Sequence, residues 1–242
     1  MIGFAALALA GLVVGALSNL LIERLPVEIL AADGDEASGA ATMPPHGRRW
    51  KAARRIIVSV GTAGLFMLAV DRYEGDWLRI GMTAMFASVF LTLAVIDLEH
   101  QLLPDKIVLP ALVVGLATTP FLGHLEPWDG ALGSAVGFLV FLPIWTWALL
   151  TGREGRIMGF GDVKFTATMG AALGLQFLGV ALYAGVLLGG VVAAGLLLGR
   201  LLAPRVLGMT RVMPYGTFLA IGGLIALFYG RPIVDRIIDI LA

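Results

Sequence analysis

The 242-residue sequence contains no cysteine, which removes disulfides, thiolate zinc sites and a cysteine nucleophile together. Charge is scarce as well, at 14% of residues against about 25% in ordinary soluble domains. The charges that are present cancel to a formal net charge of zero, so attraction to an acidic partner depends on where charge lies rather than on its total. No nucleic-acid-binding module is recognisable. Histidine is limited to His46, His100 and His124, which lie in separate polar segments without metal-ligand spacing, and a His-Glu-x-x-His helix is missing. The residues therefore argue against a metalloprotease and supply no metal site.

What fills the chain is apolar: 59% of residues are hydrophobic and the mean hydropathy is +0.92. That composition is the mark of a polytopic membrane protein. The first 22 residues carry a small-x-small triplet, Ala16-Leu17-Ser18, but no Lys or Arg precedes the apolar run, which is long enough to span. It reads as a retained transmembrane helix rather than a signal peptide. Further apolar runs cover Ile56 to Val70, Ile80 to Ile96, Ile107 to Leu122, Ala131 to Leu150, Val163 to Leu198 and Pro214 to Tyr229. Several fall short of the roughly 20 residues of a typical span, as in a thin or protein-buried region. The 36 residues from Val163 to Leu198 would extend about 54 Å as one helix, against a hydrocarbon core of about 30 Å. They are predicted to form two spans, broken near Gly174-Leu175-Gln176. The expected fold is a single all-α membrane domain over residues 1–242 with about eight transmembrane helices.

Charge placement supports that count. With eight spans, the polar segments starting at Glu23, Asp97, Thr151 and Arg200 share one side and hold 13 of the 17 Lys and Arg residues. Arg72, Arg79, Arg231 and Arg236 lie on the other. By the positive-inside rule the richer side is cytoplasmic and both termini lie opposite. Asp33 to Pro45 reads as a flexible excursion, and Arg48 to Arg55 as a basic topogenic cluster at anionic lipid headgroups.

Two carboxylates stand where apolar runs meet polar segments on that side: Asp97, and Asp162 within Gly159-Phe160-Gly161-Asp162. An ionisable group at the edge of hydrocarbon is costly and persists when it pairs, conducts or catalyses. Two together suggest water activation of the aspartic-protease kind, in which neighbouring carboxylates share a proton. Asp97 is expected at the negative end of its helix, and Asp162 as an N-cap at the positive end of the next, so that their surroundings separate an acid from a base. Gly159 and Gly161 would let the backbone take unusual φ/ψ and approach an extended peptide.

Asp105, after Leu103-Pro104, reads as a helix cap, and Lys164 as a support for Asp162 or a partner of headgroups. Glu99 and His100 are expected on a wetted loop. Gly133-Ser134 lacks a histidine in a later span to serve as base, which argues against a serine protease. A proton-coupled transporter using the aspartates as a relay is the competing reading, and it requires polar groups continuing toward the far face.

These residues together resemble the type 4 prepilin peptidases, over nearly the whole chain. Ile96-Asp97 with Leu103-Pro104-Asp105 matches one family segment, and Gly159 to Lys164 matches its Gly-x-Gly-Asp-x-Lys. Near the N-terminus, Gly15, Asn19, Arg24, Leu25 and Pro26 correspond to its Gly-Ser-Phe-x-Asn-Val and Arg-Leu-Pro. Met213-Pro214-Tyr215-Gly216-Thr217-Phe218 answers its Ile-Pro-Phe-Gly-Pro-Phe. The resemblance implies a bacterial inner-membrane aspartic endopeptidase with Asp97 and Asp162 as the catalytic pair and Asp105, Lys164, Gly159 and Gly161 in support. It implies prepilin or type II secretion pseudopilin leader peptides as partners, alongside membrane lipids, with cleavage after a glycine at the cytoplasmic face. No cofactor is required for hydrolysis. The family's paired Cys-x-x-Cys zinc subdomain is absent from the shortened loop at 23–55, and S-adenosylmethionine enters only if N-methylation of the product is retained.

Overall fold

The structure is a computed structural model that describes residues 2–32, 48–121, 125–153, 158–202 and 214–241. The chain is all-α, with no strand among the described residues. Its helices are α1 (Ile2–Ala32), α2 (Arg48–Arg72), α3 (Trp77–His100), α4 (Asp105–Thr118), α5 (Asp129–Leu150), α6 (Phe160–Leu202) and α7 (Tyr215–Leu241). A 3₁₀ turn, Thr119–Phe121, closes α4. Six of the described helices are long and apolar enough to cross a membrane. The remaining one, α4, has 14 residues, about 21 Å at 1.5 Å per residue.

The 43-residue α6 is not one rod. Gly174 has φ 73° and ψ 172°, a conformation open essentially to glycine alone, and it interrupts the helix where the sequence predicts a break. Packing on either side shows a reversal. Before the break, Gly170 meets Gly133 and Thr166 meets Gly137, so this arm runs antiparallel to α5. After it, Phe177 lies against Gly230 and Gly185 against Leu219, so the second arm runs antiparallel to α7. On α3, Phe90 contacts Phe165 in the first arm and Gly223 in α7. The chain thus turns back at Gly174, so that the described residues form eight helical segments, two of them short.

Between membrane helices the lipid tails compete with any apolar side chain, so close packing and interhelical hydrogen bonds hold the pairs together. The α5–α6 crossing illustrates this: glycines let the two backbones touch, and the Thr166 hydroxyl lies 3.0 Å from the Gly137 carbonyl. Thr119 Oγ1 lies 2.7 Å from the Ala171 carbonyl and fastens the end of α4 to the same arm. The most enclosed span is α3, whose Phe90 ring meets Phe165 edge-on with centroids 5.7 Å apart.

Several expectations for the polar ends require correction. Glu99 is not on a wetted loop: it is buried in the last turn of α3, bonded to Arg54 Nη1 and Trp50 Nε1, each at 2.8 Å. Arg54, expected among lipid headgroups, is equally buried and also pairs with Glu23. A guanidinium surrounded by two carboxylates is stable out of water where a lone one is not. The segment after Ile22 is also more ordered than its composition suggests, because α1 continues through Pro26 to Ala32 and α2 starts at Arg48. The excursion through Asp33 to Pro45, together with His46, His124, Arg156, Arg205, Arg211 and Met213, lies outside the described residues.

Candidate active site

Asp97 occupies the last turn of α3. Its carbonyl accepts the Gln101 N–H at 2.8 Å, and Gln101, with φ 53°, ends the helix in the left-handed conformation. Leu102, Leu103 and Pro104 then carry the chain around to α4. The Asp97 side chain crosses to the start of α7, where Oδ2 accepts the Thr217 backbone N–H at 2.6 Å and lies 3.0 Å from Thr217 Oγ1. Thr217 is the third residue of α7, and Pro214 before that helix has no side-chain acceptor to offer its free N–H groups. Asp97 therefore caps α7 from another helix. Gly216 makes the approach possible, since a Cβ there would stand 3.0 Å from the Asp97 carboxyl carbon.

Asp162 is the third residue of α6, not its N-cap. Gly159 holds the cap place, and its N–H donates back to Asp162 Oδ2 at 3.2 Å, the return half of a capping box. The Thr166 hydroxyl sits 3.0 Å from the Asp162 carbonyl, below the Gly137 crossing, which fixes this turn against α5. Both carboxylates thus rest on backbone N–H groups at helix starts. The expected contrast between a negative and a positive helix end is replaced by two similar settings, because the sequence alone counts only each aspartate's own helix.

The two aspartates line one cavity of about 580 Å³. Both are buried, Asp97 with 5% and Asp162 with 8% of its surface exposed. Asp105, Lys164, Gly159 and Gly161 share the cavity wall, so the structure brings together all six residues the sequence singles out. Asp105 does not cap α4; its carboxylate holds Lys164 Nζ at 2.6 Å, which also lies 4.9 Å from the Phe160 ring. Gly159 and Gly161 do not use positive φ, which among the described glycines occurs at Gly75, Gly152 and Gly174. At Gly161 the missing Cβ lets α6 lie against Leu103, whose Cβ would be 3.1 Å away. Around Gly159 the space is open on the cavity side.

Sequence reasoning gave no role to Thr217, which appeared only within the Met213 to Phe218 segment of the resemblance. Tyr215, of the same segment, and Met158, which was not singled out, also line the cavity. No group of three or more His, Cys, Asp and Glu residues suited to a metal ion occurs among the described residues.

A volume of this size, with two buried carboxylates and an open glycine backbone along one wall, suits an extended peptide segment. The chain matches the Type IV leader peptidase family over residues 84–230, which includes every one of these residues. It is 34% identical over 182 residues to the prepilin leader peptidase/N-methyltransferase of Dichelobacter nodosus, covering 75% of this chain and 59% of that protein. It is 37% identical over 178 residues to the protein of the same name from Pseudomonas putida, again covering 59% of the relative and 73% of this chain. The chain thus spans about three fifths of the length of these relatives. With the namesake from Stutzerimonas stutzeri it is 30% identical over 270 residues, 92% of this chain and 89% of the relative. No solved structure matches. A match of that extent, with both aspartates inside it, means that the chain belongs to the Type IV leader peptidase family.

Proposed function

We propose that this chain is a membrane aspartic endopeptidase that removes the leader peptide of type IV prepilins or type II secretion pseudopilins at the cytoplasmic face of the bacterial inner membrane. The observation that carries the reading is the meeting of Asp97 and Asp162, from α3 and α6, in one cavity. A carboxylate that takes a proton from water generates the nucleophile, and its neighbour, protonated, supplies a proton to the leaving amine. The catalytic pair is Asp97 and Asp162, with the Asp105–Lys164 pair on the rim and the open backbone at Gly159 available to the peptide.

The core beyond the aspartates speaks against a proton relay: Phe90, Phe165 and Met169 pack there, and the buried Ser88 and Thr92 hydroxyls donate to carbonyls of their own helix. A cysteine-bound zinc does not fit this chain, since it has no thiolate to offer. Several relatives bear the additional name N-methyltransferase, and S-adenosylmethionine is needed only if that activity persists here. No step of the hydrolysis depends on it.

The direct test incubates the purified chain in detergent with a synthetic peptide that joins a basic leader to an apolar helix through a glycine. Cleavage after that glycine is the expected result. An intact peptide under conditions where a relative cuts it would remove the reading.

A further inference from the structure

We infer that Thr217 is a positioning residue whose hydroxyl keeps Asp97 hydrogen-bonded in both of its protonation states. The inference rests on the peptidase reading of Asp97. Thr217 is buried, and its Oγ1 lies 3.0 Å from two oxygens at once, Asp97 Oδ2 and the Ala94 carbonyl. A hydroxyl carries one proton and two acceptor lone pairs. The Ala94 carbonyl can only accept. When Asp97 is ionised, the hydroxyl donates to Oδ2 beside the Thr217 N–H, which gives the carboxylate two donors from one residue. When Oδ2 carries a proton, the hydroxyl turns about its C–O bond, donates to Ala94 and accepts from Asp97. No proton leaves Asp97 for Thr217 in either state; the hydroxyl only rotates.

A general acid–base group must pass through both states in every turnover, and a buried group left unpaired in one of them is costly. The geometry around Thr217 removes that cost without moving the backbone. At Asp162 the Gly159 N–H donates to Oδ2, a group that can donate and never accept.

The test compares Thr217→Ser, Thr217→Ala and Thr217→Val in the full-length chain, together with Asp97→Asn, by kcat and KM on the leader peptide and by thermal melting. Thr217→Ser is expected within about threefold of the unsubstituted chain, because the rotor is kept. Thr217→Ala and Thr217→Val are expected to lose roughly 10- to 100-fold in kcat at unchanged KM, the loss typical of a hydrogen bond to a charged group. The Ser–Ala pair differs by one oxygen, so it decides the matter even if Val perturbs folding. Full kcat in Thr217→Ala, an equal loss in Thr217→Ser, or a rise in KM alone would each overturn the proposal. An active Asp97→Asn would instead overturn the reading of Asp97 on which it rests.

Discussion

Lys164 Nζ lies 2.6 Å from each carboxylate oxygen of Asp105, so α6 and α4 are joined across the rim of the cavity that holds Asp97 and Asp162. Asp105 is half exposed, and a pair in contact with water is worth at most about 1 kcal/mol. Asp105→Asn and Lys164→Gln are each expected to slow leader cleavage by less than about tenfold, and the double variant to lose less than the two losses combined. A complete loss in Asp105→Asn would mean that this carboxylate takes part in the chemistry.

Asp97→Asn and Asp162→Asn keep shape and remove the ionisable proton. Cleavage is expected to fall by about 10²- to 10⁴-fold in each, with membrane insertion and melting temperature little changed. Near-normal turnover by either variant in detergent would end the assignment of that residue.

Glu99 sits two residues beyond Asp97, yet it serves the fold. Its removal leaves Arg54 facing only Glu23 in a buried place. Breaking a buried ion pair on one side typically costs about 3–5 kcal/mol. Glu99→Ala is expected to lower the melting temperature markedly, whereas KM measured on the folded fraction stays near its original value. A variant as stable as the parent would show that the network contributes little.

Orientation can be read by labelling. Single cysteines, introduced into a chain that has none, are expected to react with an impermeant reagent from the cytoplasm near Arg153 and from the outside at Glu126. The reverse pattern would strand both aspartates away from a cytoplasmic leader.

The break in the longest apolar run was legible because 36 residues exceed one span and a glycine and a glutamine coincide at Gly174-Leu175-Gln176. That Asp97 and Asp162 would line one cavity was legible too, since ionisable groups beside apolar runs are few. The partners were not. Asp97 and Thr217 are 120 residues apart, and nothing local marks the start of α7 as the place where Asp97 would end. Glu99 and Arg54 were misjudged for a related reason: a charged residue reads as wet until its counter-charge from another helix is known. The same limit applied to Asp105, whose place after a proline suggested a cap while its actual partner, Lys164, came from α6.

The bond between Asp97 and the start of α7 also makes the carboxyl depend on a residue with no side chain of its own. Gly216 lies so close to Asp97 that a Cβ there would stand 3.0 Å from the carboxyl carbon. A larger residue at that position has to push α7 away from α3, and the Thr217 N–H moves with it. A change at a position that carries no chemistry would thus reach the aspartate by displacing its donor.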